Sequence, residues 1–225
     1  MRAAKVGTEV RREQITEAAV ALIGAEGLAG LSMARLAERV GIVPSALYRH
    51  YKSKEEVLDS VMDAIRSQLL ANVEAVCAET PDALDRLRLL FERHIRMLKS
   101  RPAFPHVVFA HFSLQEDASR WANLRDTMQS YLSAIGAIIK DGKAQGTIRA
   151  DMPESTAAVL FIGLVLPAAM LLRLTGETFD VEAHLQTAWP AYWRGLAVQS
   201  HTTQKGRRKG RMIARKGGQG EAGNP

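Results

Sequence analysis

Leu31-Ser32-Met33-Ala34-Arg35-Leu36-Ala37-Glu38-Arg39-Val40-Gly41-Ile42-Val43-Pro44-Ser45-Ala46-Leu47-Tyr48-Arg49-His50-Tyr51-Lys52-Ser53-Lys54 reads as a helix, a tight turn and a second short helix. Leu36, Val40 and Leu47 place apolar side chains opposite one another across the turn, and the small Ala37 lets the second helix come close. Gly41 stands where the first helix must stop, because glycine takes a positive φ without a Cβ clash. Pro44 starts the second helix with its φ already set. The pattern predicts two helices crossing steeply, the geometry of a DNA-reading unit. Facing outward from it are Ser45, Ala46, Tyr48, Arg49 and His50. Small Ser45 and Ala46 permit close approach to base edges, Arg49 can donate to guanine, and Tyr48, His50 and Lys54 can bond phosphate oxygens.

The stretch from Arg11 to Leu58 resembles the DNA-binding domain of the tetracycline-repressor-like (TetR) transcriptional regulators. The likeness is greatest in Leu47-Tyr48-Arg49-His50-Tyr51, in Lys54 and in the helix start Glu55-Glu56-Val57-Leu58. The resemblance implies an all-α chain with an N-terminal three-helix helix-turn-helix domain and a C-terminal helical domain for effector binding and dimerisation. It also implies a homodimer in which each subunit presents one reading unit to a palindromic operator. Residue by residue it carries over Ser32 at the start of the first motif helix, Tyr48 and His50 on the recognition helix, and Lys54 where the next helix begins. Two positions depart from the pattern. Val43 stands where these proteins usually place a serine that caps the recognition helix, and Ser45 replaces a common glycine. Without the cap one backbone N–H must find another partner, a loss of about 0.5–2 kcal/mol.

Composition bounds the rest. The chain has 225 residues, of which 47% are hydrophobic, enough for a sizeable packed core. Its net charge of +6 is matched by the tail alone, where Lys205, Arg207, Arg208, Lys209, Arg211, Arg215 and Lys216 face only Glu221. The part expected to fold is therefore near neutral, so charge is poor evidence for operator binding, although a basic tail adds a salt-sensitive attraction to phosphate. We divide the chain into a DNA-binding domain at residues 1–53, a ligand-binding and dimerisation domain at 54–200, and a basic, glycine-rich, disordered tail at 201–225. The lone Cys77 rules out an internal disulfide framework and fits a reducing cytoplasm, where we place the protein. No apolar signal-peptide core opens the chain. The apolar stretch Ala157 to Leu172 contains Gly163 and Pro167 and reads as too short for a bilayer, which needs about 20 residues. Such a helix is expected in the subunit centre or at a dimer seam.

Helical periodicity runs through nearly every other segment. Val10 to Gly24 supports the motif, with Arg2, Lys5, Arg11 and Arg12 near its start as either DNA contacts or a solvated end. Lys54 to Cys77 is unbroken, Pro81 to Ser100 restarts after Thr80-Pro81, and Asp117 to Gln145 stops at Gly146. Pro102 and Pro105 make Ala103 to Leu114 read as an irregular aromatic stretch. Two final helices follow, Pro153 to Leu174 and Asp180 to Val198, and they resemble the family's four-helix dimer bundle. Leu160, Leu164, Ala168, Leu171, Leu185, Trp189 and Tyr192 are the expected dimer contacts, the plainer alternative being that the pair only completes a monomer core. Two reading units held about 34–36 Å apart would read consecutive major grooves.

An effector pocket is expected among Phe91, His94, Phe104, Phe109, Phe112, Trp121, Met128 and Tyr131, because such pockets are apolar with a few polar groups. Arg96, Arg125 and Gln129 would add polarity if they pointed inward. His94, His106 and His111 match no compact metal-ligand spacing, so no metal and no cofactor is expected. Cys77, flanked by Val73 and Val76, reads as core rather than as a redox thiol. No phosphate loop, no His-Glu-x-x-His and no Gly-x-Ser-x-Gly occurs, and the chain is not expected to be an enzyme. The sequence thus points to a repressor released from double-stranded operator DNA by a small, mostly apolar effector, acting without a membrane. The competing reading is a ligand-independent DNA-organising protein that uses its basic tail for DNA or partner contact.

Overall fold

The computed structural model describes residues 7–101, 103–113, 118–175 and 178–198, with the backbone alone at 110–113 and 118–120. The described elements are α1 Thr8–Glu26, a 3-10 turn Leu28–Gly30, α2 Met33–Val40, α3 Pro44–Leu47, α4 Lys54–Glu79, α5 Ala83–Ser100, α6 Ala103–Ser113, α7 Ala118–Ala144, α8 Glu154–Thr175 and α9 Val181–Leu196. No strand occurs among the described residues. A single antiparallel bridge, Ile148 to Ala197, ties the α7–α8 loop to the end of α9. The tail at 201–225 lies outside the described residues, as do Arg2, Lys5 and the side chains of His111 and Phe112.

Local chemistry sets most helix ends. Ser32 accepts from the Arg35 N–H at 3.3 Å and so starts α2. Gly41 ends it at φ 72°, with the Ile42 N–H reaching back to the Ala37 carbonyl at 3.0 Å. Ser53 accepts from the Glu56 N–H at 3.3 Å while the Glu56 carboxylate accepts from the Lys52 N–H at 2.8 Å, a reciprocal clasp at the head of α4. Asp82 and Asp180 each accept from two backbone N–H groups at the starts of α5 and α9.

α6 departs from the irregular stretch expected of it. Pro105 falls in the first turn, where its missing N–H would have had no intrahelical acceptor, so the ring costs the helix nothing there. Ala103, Phe104 and Val107 are buried. α6 packs on α1 and the 3-10 turn and also on α4, α7 and α8. Both α4 and α6 therefore touch the N-terminal unit and the C-terminal helices.

α8 lies against α7 and α9 and buries Ala157, Ala158, Phe161, Ile162, Val165, Ala168 and Ala169. At 22 residues it is longer than the apolar stretch suggested, and by length and composition it could cross a membrane. Its inner face is instead part of the core. The outer face carries Val159, Leu160, Met170, Leu171 and Leu174, all exposed. Of the expected dimer contacts, Leu160 and Leu171 lie on that outer face, while Leu164, Leu185 and Trp189 are half-buried. Ala168 and Tyr192 are buried within the subunit, and the Tyr192 hydroxyl donates to the Ala157 carbonyl at 2.9 Å.

Candidate DNA-reading face and effector cavity

Leu36, Ala37, Leu47 and Tyr51 are buried and hold α2 and α3 together, with Val40 half-buried beside them. α3 is only four residues long. Tyr48 closes it, and Arg49 and His50 sit in the turn that follows, held by the Arg49 N–H on Ala46 O at 3.3 Å and the His50 N–H on Leu47 O at 2.9 Å. Ser45 and Arg49 are exposed, Tyr48 is 50% exposed, and Ala46 and His50 are half-buried. The five expected base and phosphate contacts thus share one end of the molecule, split between helix and turn. Val43, 64% exposed, begins α3 with extended backbone and no side-chain cap.

That face rests on a polar girder. An Arg12 Nη1–H donates to the His50 carbonyl at 2.6 Å, and the guanidinium lies 4.2 Å from the centre of the Tyr51 ring. The Thr16 hydroxyl donates to the Arg12 carbonyl at 3.0 Å and lies 3.1 Å from the Tyr51 hydroxyl and 2.9 Å from Ser60 Oγ. Arg12, left open as a DNA contact or a solvated end, also holds the recognition turn. Lys54 gives one N–H to the Leu28 carbonyl at 3.0 Å, leaving two donors for phosphate. Arg35 pairs with Glu26 and holds that carboxyl below its ordinary pKa by hydrogen bonding. Arg12 and Lys54 were legible as basic residues near the motif, but their bonds to His50 and Leu28 were not, because those partners lie 38 and 26 residues away in the chain.

In the C-terminal half a cavity of about 70 Å³ opens between α4, α5, α6, α7 and α8. Of the expected residues, His94, Phe104, Phe109, Met128 and Tyr131 line it. Phe91 does not: its ring packs 6.3 Å from Phe161, 6.2 Å from His184 and 6.5 Å from Trp189. Trp121 is absent from the wall, and the Phe112 side chain lies outside the described residues. Arg96, Arg125 and Gln129 are exposed rather than inward. The remaining wall comes from Met62, Ile65 and Leu69 of α4, Met97 and Leu98 of α5, Pro105 and Val108 of α6, Leu124 and Thr127 of α7, and Ile162, Val165, Leu166 and Ala169 of α8. His94 Nδ1 and the Tyr131 hydroxyl lie 3.0 Å apart. Burial pushes the His94 pKa down to about 4 and the Tyr131 phenol up, so both are neutral near pH 7.

Residues 15–61 match the family described as bacterial regulatory proteins, tetR family, and residues 62–189 match the C-terminal region of YsiA-like proteins. Over 191 residues the chain is 24% identical to the nucleoid occlusion factor SlmA of Vibrio cholerae serotype O1, covering 84% of this chain and 95% of that protein. Among solved structures, a TetR transcription regulator from Haloarcula marismortui superposes with a TM-score of 0.74 at 19% identity, over 84% of this chain and all of that one. The regulator FadR of Bacillus subtilis, in complex with stearoyl-CoA, gives a TM-score of 0.70 at 20% identity, over 81% of this chain and 98% of that one. The helix-turn-helix face and two adjoining family matches that together run from residue 15 to 189 lead to one assignment: the chain belongs to the TetR family of bacterial regulatory proteins and is a DNA-binding transcriptional regulator.

Proposed function

We propose that this regulator is a homodimeric repressor, released from a palindromic operator when a small, mostly apolar effector enters the cavity. In this reading residues 1–53 form the DNA-binding domain and residues 54–200 the effector and dimerisation domain. Ser45, Ala46 and Arg49 read base edges, and Ser32, Tyr48, His50 and Lys54 fix the register on phosphates. One observation carries the reading. α4 and α6 both wall the cavity and pack on α1, so anything that spreads the cavity acts on the elements that seat the recognition turn. The exposed apolar row on α8 supplies the seam that a second subunit would cover. By linkage the effector weakens operator binding by the ratio of its affinities for the two conformations, and operator weakens effector binding by the same factor.

Fluorescence anisotropy with the chain's own upstream promoter DNA against scrambled DNA, at about 0.15 M salt where nonspecific attraction is damped, tests it. Tight binding to the promoter that resists competitor supports the reading. Equal, salt-sensitive binding to both DNAs favours a ligand-independent DNA-organising role. The similarity to proteins named as nucleoid occlusion factors supports that second role, and the cavity counts against it.

A further inference from the structure

Among the described residues the cavity wall is apolar except at Thr127, His94 and Tyr131, and the last two lie within hydrogen-bond distance of each other. Thr127 is 2% exposed, and its Oγ1 is buried with no hydrogen-bond partner. A hydroxyl stranded in an apolar site is costly, and because Thr127 lines the cavity, a turn of its side chain would bring the buried hydroxyl to what the cavity holds. No Asp, Glu, Lys or Arg is among the described residues of the wall. Resting on the effector-cavity reading above, we propose that the ligand is an uncharged, largely apolar molecule with a carbonyl or hydroxyl oxygen, and that Thr127 binds that oxygen.

The threonine hydroxyl donates to a ketone or ester oxygen and can accept from an alcohol, so either oxygen ends its isolation. Thr127 and Tyr131 are four residues apart on α7 and so share the face that lines the cavity. A carboxylate has no such welcome, since it would leave water to meet no cation. Protonating His94 to supply one is opposed by its burial. With that ring's pKa near 4, its charged form is disfavoured about a thousandfold at pH 7.

Three probes of similar carbon count separate the possibilities: 2-decanone, decanoate and butylbenzene, titrated calorimetrically into the full-length protein at pH 7. Each is measured on the wild type, on Thr127→Val, which keeps the shape and removes the hydroxyl, and on Thr127→Ser, which keeps the hydroxyl. The expected result is that 2-decanone binds more tightly than decanoate. Thr127→Val weakens 2-decanone about tenfold, leaves butylbenzene unchanged and raises the melting temperature of the empty protein, and Thr127→Ser retains 2-decanone binding. A filler of space alone would not combine gained stability with lost ketone affinity. Decanoate binding more tightly than 2-decanone, or 2-decanone indifferent to Thr127→Val, overturns the ligand class while butylbenzene binding leaves the cavity reading standing. Binding of none of the three overturns the cavity reading itself, and the ligand class with it.

Discussion

Thr16 gathers three neighbours on one oxygen, the Arg12 carbonyl, the Tyr51 hydroxyl and the Ser60 hydroxyl, and so joins α1, the recognition turn and α4. Its two sides differ in what their removal leaves behind. Tyr51→Phe deletes a donor and should cost about 1 kcal/mol, because Thr16 keeps its bond to Arg12. Thr16→Val strands the buried Tyr51 hydroxyl and should cost about 1–3 kcal/mol, a larger loss that urea unfolding of the two variants would resolve. His94 gives a pH signature. In the unfolded chain the ring takes its proton near the ordinary 6.5, whereas burial delays this in the folded chain to about 4. Between those values the unfolded state binds more protons, so His94's contribution is intact above pH 6.5 and falls as pH drops, by about 3 kcal/mol over the window. Urea unfolding at pH 7 and pH 5 should show a loss of about 2 kcal/mol that His94→Gln removes; an equal loss in both proteins would assign it elsewhere.

α3 is the shortest α-helix described and begins without a side-chain cap, although the Val43 backbone at φ −72° and ψ 147° suits one. Val43→Ser should therefore stabilise the protein by about 0.5–2 kcal/mol, read as a higher urea midpoint with an unchanged slope. On α8 the exposed Leu160 sits within the apolar row, so Leu160→Glu should leave the subunit folded, convert dimer to monomer in light scattering, and lose operator binding together with it. Element ends were legible in the sequence because Gly41, Pro44, Pro81 and Gly146 act through their own backbones or nearest neighbours. α6 was not, because Pro105 reads as a breaker unless its place in the first turn is known. The cavity was legible in part. Periodicity puts Phe91 and His94 on one stripe of α5, but how α5 lies against its neighbours decides that His94 meets Tyr131 while Phe91 meets Phe161 and Trp189. Met62, Ile65 and Leu69 reach the cavity only through the way α4 packs, and Thr127 carries no sequence signal, since its isolation depends on everything around it.

Across the whole molecule a reading face at one end is joined to a cavity behind it, and the proposed dimer seam runs along the exposed apolar row of α8. Charge contributes little to placing them, because the net +6 is matched by the basic residues after His201. In the proposed dimer, specificity comes instead from two copies of a small reading face held at a set spacing, each alone touching too few bases to select a site. The spacing is also what the effector would spoil, since α4 and α6 connect the cavity to α1 in each subunit. In vitro selection from random-sequence DNA at about 0.15 M salt reads recognition and pairing together. Paired reading of the operator predicts enrichment of an inverted repeat whose half-sites lie about 34–36 Å apart, centre to centre, and loss of that enrichment in Leu160→Glu. Recovery of no motif, or of a lone half-site bound equally well by Leu160→Glu, would contradict it.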